Sequence, residues 1–209
     1  MSNKVILSTA YLPPVQYFSK LLKYDEILIE AHENFVKQTY RNRCNIYGAN
    51  GLLALTIPVK KNNPKTKTKD IAIDYDTNWR KMHWKSIESA YRSSAYFEFY
   101  ADYLIPFYHT KYKFLIDFNH ELIKMLAEQL EIDISISYTK EYSFPGEVGF
   151  DDFRDVIHPK KNLNDPYFSE KEYFQVFSDK HGFISNLSIL DLLFNTGPEA
   201  LEYLKNSFF

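Results

Sequence analysis

Two short apolar runs, Val5-Ile6-Leu7 and Ile27-Leu28-Ile29, flank a stretch whose apolar residues recur at helical spacing. Continuous runs of this length suit strands buried on both faces, as parallel strands are. Between them Pro13-Pro14 enforces an extended turn, because a residue that precedes proline avoids the helical region. Pro14 suits the start of a helix reaching about Tyr24, with Val15, Phe18, Leu21 and Leu22 on one face. Strand Lys4–Ser8, helix, strand Glu26–Glu30 is therefore a βαβ unit, right-handed by the general rule. Ligands of such units bind beyond the carboxyl ends of the strands. Here those ends are the loops Ser8–Pro14 and Glu30–Cys44.

Downstream, Arg43–Tyr47 and Leu52–Val59 flank Gly48-Ala49-Asn50-Gly51, a hairpin signal. Lys60–Lys69 carries five lysines with no periodicity and reads as a solvated loop. Three helices follow. The first is capped by Asn78, with Trp79, Met82, His83, Ile87, Ala90 and Tyr91 at helical spacing. The second spans about Tyr96–Leu104 and ends or kinks near Pro106. The third is capped by Asp117, with Phe118, Leu122, Met125, Leu126 and Leu130 inward. Ile134–Tyr138 alternates and reads as a returning strand. Thr139 to about Glu170 is irregular, with four prolines or glycine turns, and has the length of a lid or binding loop. Gln175-Val176-Phe177 is strand-like, Ser185 or Asn186 caps a helix Leu187–Asn195 ended by Gly197, and Pro198 opens a last helix to about Leu204. The expected architecture is one α/β domain over residues 1–209, with a mixed, partly parallel sheet, Rossmann-like layering and a helical C-terminal half.

Composition narrows function mainly by exclusion. A net charge of −2 gives no global electrostatic case for nucleic acid or an anionic membrane, so neither is expected as a partner. No apolar run approaches spanning length, and the N-terminus shows no leader pattern, so a cytoplasmic, bacterial-type protein without membrane insertion is expected. The one cysteine, Cys44, excludes an intrachain disulfide and reads as a small core residue. Aromatic residues reach 17%, which supplies a large core area despite few glycines. Walker A, G-x-S-x-G, H-E-x-x-H and G-x-G-x-x-G motifs are absent, and no spacing indicates a metal or a particular cofactor.

The chemistry concentrates in Glu30–Cys44. Lys37, Arg41 and Arg43 can hold a diphosphate, arginine by bidentate contacts. His32 or Glu33 can act as general base, and Asn34 and Asn42 can orient a hydroxyl or amide, Asn42 with a catalytic role. Tyr11 at the first strand end, His158 in the irregular segment and Asp191 in an apolar run complete the candidate substrate-binding set. His83, on a helix face, reads as a packing residue.

The sequence resembles the WbqC-like family at five places. Tyr11-Leu12-Pro13-Pro14-Val15-Gln16-Tyr17-Phe18 is similar to its N-terminal signature, and Asp25–Phe35 with Asn42-Arg43 to its acidic run and Asn-Arg pair. Leu53–Val59 resembles its strand, Trp79 with Ala90-Tyr91 its helix, and Ser188–Asn195 its C-terminal motif. The variant Glu33–Cys44 resembles a Bacteroidetes-type branch, and the family's paired aspartates fall on Ala31 and His32. The family's association with O-antigen-type surface-polysaccharide clusters implies transfer chemistry on an activated sugar. The strand, Pro-loop, helix, acidic strand order also resembles nucleotidylyltransferase-like folds. Their histidine signature has no counterpart between Pro14 and Phe18. The expected function is a group transferase acting on a nucleotide-linked sugar or related phosphorylated small molecule. The alternative is a non-catalytic binding or scaffold module of a polysaccharide assembly system, suggested by the excess of Tyr and Phe.

Overall fold

The structure, a computed structural model, describes residues 3–161, 163–169 and 171–208. It opens with β1 (Lys4–Ser8), α1 (Val15–Lys23) and β2 (Glu26–Glu30), the strand–helix–strand unit read from the sequence. β3 (Arg43–Gly48) and β4 (Gly51–Thr56) form an antiparallel hairpin closed at Gly51, whose φ of 96° needs glycine. Three helices follow: α2 (Trp79–Tyr91), α3 (Phe97–His109) and α4 (Leu115–Gln129). After them come β5 (Ile136–Tyr138), β6 (Asp151–Asp152), the short α5 (Ser178–His181), α6 (Ile189–Thr196) and α7 (Ala200–Lys205).

The main sheet has the order β5-β2-β1-β6, and every pairing in it is parallel. The antiparallel hairpin stands as a separate two-stranded sheet. β1 is buried along Val5-Ile6-Leu7, as expected of a strand covered on both faces. α1 departs from the amphipathic expectation. Gln16, Ser19 and Lys20 are buried along with its apolar residues, because α6 and α7 pack on it. Its polar side chains therefore find partners inside. Lys20 Nζ lies 2.7 Å from Asp165 Oδ2 and 4.5 Å above the Phe153 ring, and Gln16 donates to the same carboxylate.

Several boundaries differ from the sequence reading, each for a local reason. α3 runs through Pro106 to His109, since proline removes one intrahelical bond without ending a helix that packs elsewhere. α4 starts at Leu115, which puts Asp117 in its first turn instead of at its cap. Met82 is 65% exposed although it shares the spacing of the buried residues of α2. Residues 175–177 form a turn, with Gln175 fully buried as a side-chain hydrogen-bonding group. Ser188, accepting from Leu190 N, is the true cap of α6. The irregular segment contributes β6, a strand of two residues that periodicity is too short to reveal.

β6 matters most for function. The chain leaves β1 toward β2 and β5 on one side, while β6 lies on the other. The order therefore reverses between β1 and β6, and such a switch point is where open α/β sheets bind ligands.

Candidate site at the carboxyl edge of the parallel sheet

At this switch point lies a narrow cavity of about 10 Å³, room for one water-sized group. Its walls are the end of β1 (Leu7, Ser8) and the two residues after it (Thr9, Ala10), Tyr17 of α1, Tyr40 and Arg41, and Phe153, Arg154 and Ile157 after β6. Two arginines thus reach one cavity from opposite sides of the switch point.

Each guanidinium is set by carboxylates. Arg41 makes a bidentate pair with Glu33, Nε to Oε1 at 2.7 Å and Nη2 to Oε2 at 2.6 Å. It also donates to Ser8 Oγ (2.7 Å) and Thr39 Oγ1 (3.2 Å). Asn119 of α4 fixes the backbone beneath it, donating to Arg41 O and Thr9 Oγ1. Arg154 pairs with Asp152 through Nε (2.9 Å) and Nη2 (2.6 Å), and reaches Glu30 Oε2 and Ser143 O through Nη1. Burial lowers the Arg154 pKa, but the Asp152 bond and the Asp152 and Glu30 charges outweigh it and raise it overall.

Glu30 ends β2 with no solvent exposure. It accepts from His32 N, Thr139 Oγ1, Ser143 N and Arg154 Nη1, so four donors satisfy its two oxygens. This clamp draws residues 139–143 over the strand ends and sets Tyr142 against the Arg154 guanidinium, 5.6 Å from the ring centroid.

Of the residues selected from sequence, the structure brings Glu33 and Arg41 together at the cavity. His32 is half-buried and tied to Glu30 through its backbone. His158 sits just outside. Its Nδ1 accepts from Lys160 N, and burial, helped by the charges of Lys161 and Arg41, lowers its pKa. Asn34 is exposed, accepting from Lys67, and Lys37 is exposed.

The other four lie elsewhere. Asn42 is buried and donates to Ile57 O, bracing the start of the hairpin. Arg43 sits on β3, where its Nε donates to Thr56 across the hairpin. Tyr11 is sealed in the core, its hydroxyl shared between His83 Nδ1 (2.9 Å) and Tyr108 (2.8 Å). His83 is itself buried and pushed down to about 4 by that burial. Asp191 belongs to a separate buried cluster, accepting from Tyr173 (2.9 Å) and Gln175 (2.8 Å). Cys44 is free and buried, and burial raises its thiol pKa.

Sequence reasoning missed Arg154, Ser8 and Asn119. A signal for the first existed: Arg154 is the only arginine after Arg92, and it is bracketed by Asp151, Asp152 and Asp155. Among the described residues no group of three or more His, Cys, Asp or Glu side chains is arranged to hold a metal ion, and no helix is long and apolar enough to cross a membrane.

Comparison with known proteins adds a lineage. The chain is 29% identical over 235 aligned positions to the uncharacterized protein Rv1507c of Mycobacterium tuberculosis, covering 98% of each. No solved structure matches it. The sequence pattern of the WbqC-like protein family matches residues 9–163, which include the loop after β1, Glu33, Arg41 and Arg154. The chain belongs to the WbqC-like protein family.

Proposed function

We propose that this protein is a group transferase acting on a phosphorylated small molecule, in particular a nucleotide-linked sugar used in surface-polysaccharide assembly in the cytoplasm. The observation that carries this reading is the convergence of Arg41 and Arg154 on one cavity at the switch point of a parallel sheet. Guanidiniums held by carboxylates at fixed angles are preorganised to stabilise charge that develops on a transferred or departing group. Ser8 Oγ faces the same cavity, 2.7 Å from Arg41 Nη2 and 3.3 Å from Glu33 Oε2, and can orient a substrate hydroxyl. The single cysteine, buried and unpaired, suits a reducing compartment.

Titration calorimetry against a panel of nucleotides and nucleotide sugars tests the reading. The wild type binds at least one nucleotide sugar, and Arg41→Lys weakens that binding by roughly tenfold or more, because lysine cannot reproduce the fork. Failure of the wild type to bind any member of the panel would overturn the assignment. A binding-module reading draws on α3, where Phe99 and Tyr103 are 71% and 51% exposed one turn apart. It predicts oligosaccharide binding lost in Phe99→Ala and indifferent to Arg41→Lys.

A further inference from the structure

The cavity at the switch point is too small for a phosphate ester, so the bulk of any such ligand lies outside it. In doubly wound folds the phosphate usually sits on the N-terminus of the first helix. Here that place is taken by the protein's own chain. Val15 N donates to Leu187 O at 3.0 Å and Gln16 N to Asn186 Oδ1 at 3.0 Å, while Tyr17 N and Phe18 N both turn to Pro14 O. The first amides of α1 are therefore committed to the segment leading into α6.

Beside this plugged helix end lies an open groove of about 300 Å³, lined by Gln16, Val156, His158, Pro159, Lys160, Lys161, Leu163 and Asn186. It shares walls with the inner cavity through two pairs of consecutive residues. Gln16 lines the groove and Tyr17 the cavity; His158 lines the groove and Ile157 the cavity. Among the described residues no carboxylate lines the groove. Asp165, behind Gln16, is already paired with Lys20, and Asp155 is the acidic group whose charge reaches His158.

The donors of the groove are oriented. Because His158 Nδ1 accepts from Lys160 N, the ring proton is on Nε2, which makes that edge of the imidazole a donor. Lys160 gives one hydrogen to Gln38 Oε1 and retains two. Lys161 is exposed at the same rim. The site thus places an imidazole N–H and two ammonium groups just outside two buried guanidiniums.

We propose that the groove formed by His158, Lys160 and Lys161 is the diphosphate subsite of this protein, replacing the helix terminus that α1 has closed. A nucleoside diphosphate moiety lies there with its outer phosphate toward Arg41 and Arg154, and the group to be transferred is held at the mouth of the inner cavity. This rests on the transferase reading for the identity of the ligand, but the anion site itself does not need catalysis.

The test uses inorganic pyrophosphate as probe, with uridine diphosphate and a single-stranded oligonucleotide as further arms, titrated calorimetrically at low and moderate salt. Wild type binds pyrophosphate and uridine diphosphate, more weakly as salt rises. Lys160→Ala and Lys161→Ala each weaken both by roughly tenfold, the scale of one charge-assisted hydrogen bond. His158→Gln, which keeps a donor, weakens them less than His158→Ala does. Lys85→Ala on the exposed face of α2 serves as the charge-matched control and leaves binding unchanged. Both lysines are exposed, so their variants fold as wild type does, which a thermal melt checks. Absence of pyrophosphate binding by the wild type, equal binding by the Lys160→Ala/Lys161→Ala double variant, or binding of the oligonucleotide alone would each overturn the proposal. If the subsite stands while no nucleotide sugar binds better than uridine diphosphate and Arg41→Lys changes nothing, the transferase reading fails alone.

Discussion

Glu30 and Asp191 are both fully sealed from solvent, yet they are held in different ways. Glu30, at the edge of the parallel sheet, meets a guanidinium, two backbone amides and a threonine hydroxyl. Asp191, on α6, meets neutral side chains, the Tyr173 hydroxyl and the Gln175 amide, and burial pushes it up to about 6. A buried carboxylate can thus be stabilised by a countercharge or left to bear its desolvation. The first arrangement fixes the Arg154 guanidinium at the cavity, as a site for an anionic ligand needs. The second links α6 to the segment Tyr173–Ile184 with a group that titrates.

The largest effect should come from breaking the charged arrangement. Arg154→Ala leaves Glu30 buried without its cation and frees Asp152 and Ser143 O as well. Removing one partner of a buried pair costs about 3–5 kcal/mol. Urea denaturation should show a loss of that size, and residues 139–143 should become protease-sensitive. A loss under about 1 kcal/mol would mean that the Glu30 amide donors carry the site without the cation.

The neutral arrangement responds to pH. With its folded pKa raised to about 6, Asp191 binds a proton more tightly in the folded chain than in the unfolded one. Its contribution is therefore most favourable below roughly pH 4, the unfolded value, and declines as pH rises through the folded value. The decline amounts to about 3 kcal/mol by pH 7. Asp191→Asn keeps one acceptor and removes the titration. Unfolding free energies measured from pH 4 to pH 7 should fall less steeply in the variant than in wild type by that amount. Parallel profiles would show that Asp191 ionises in the folded protein as freely as in the unfolded chain.

Tyr11→Phe probes a third buried polar group with no charge at all. The Tyr11 hydroxyl is shared between His83 Nδ1 and the Tyr108 hydroxyl, and its loss leaves both neighbours without that partner. The expected destabilisation is about 1–3 kcal/mol. Nucleotide-sugar or pyrophosphate affinity should not change, since the ring is sealed in the core.

These cases show where the sequence could be read. Val5-Ile6-Leu7, the α1 spacing and Ile27-Leu28-Ile29 gave the parallel unit because each is a local pattern of several residues. The unit in turn located the site at the strand ends, and Glu33 and Arg41 lie there. β6 was not legible, because two residues carry no period, and without it neither the switch point nor Arg154 could be placed. The burial of polar residues was not legible either. Tyr11 sits at a strand end in sequence but turns into the core, and the polar run Gln16, Ser19, Lys20 is buried under α6 and α7. Such choices depend on tertiary partners that a single helix or loop does not contain.

Arg43 gives the smallest predicted effect and the sharpest contrast with Arg41, two residues away. Both belong to the stretch that resembles the family's pattern, and sequence alone assigns both to phosphate. The strand separates them. Arg41 precedes β3 and turns to Glu33 and Ser8 at the cavity, whereas Arg43 lies within β3, opposite Thr56. Its hydrogen bond to Thr56 Oγ1 is solvent-exposed, so it competes with water. Arg43→Ala should therefore change stability by about 0.5 kcal/mol or less and leave ligand affinity intact. Arg41→Ala would strand the buried Glu33 and abolish binding. If calorimetry instead finds that Arg43→Ala weakens a nucleotide sugar as much as Arg41→Lys does, the ligand extends over the hairpin, and the groove at His158–Lys161 is not where its phosphates lie.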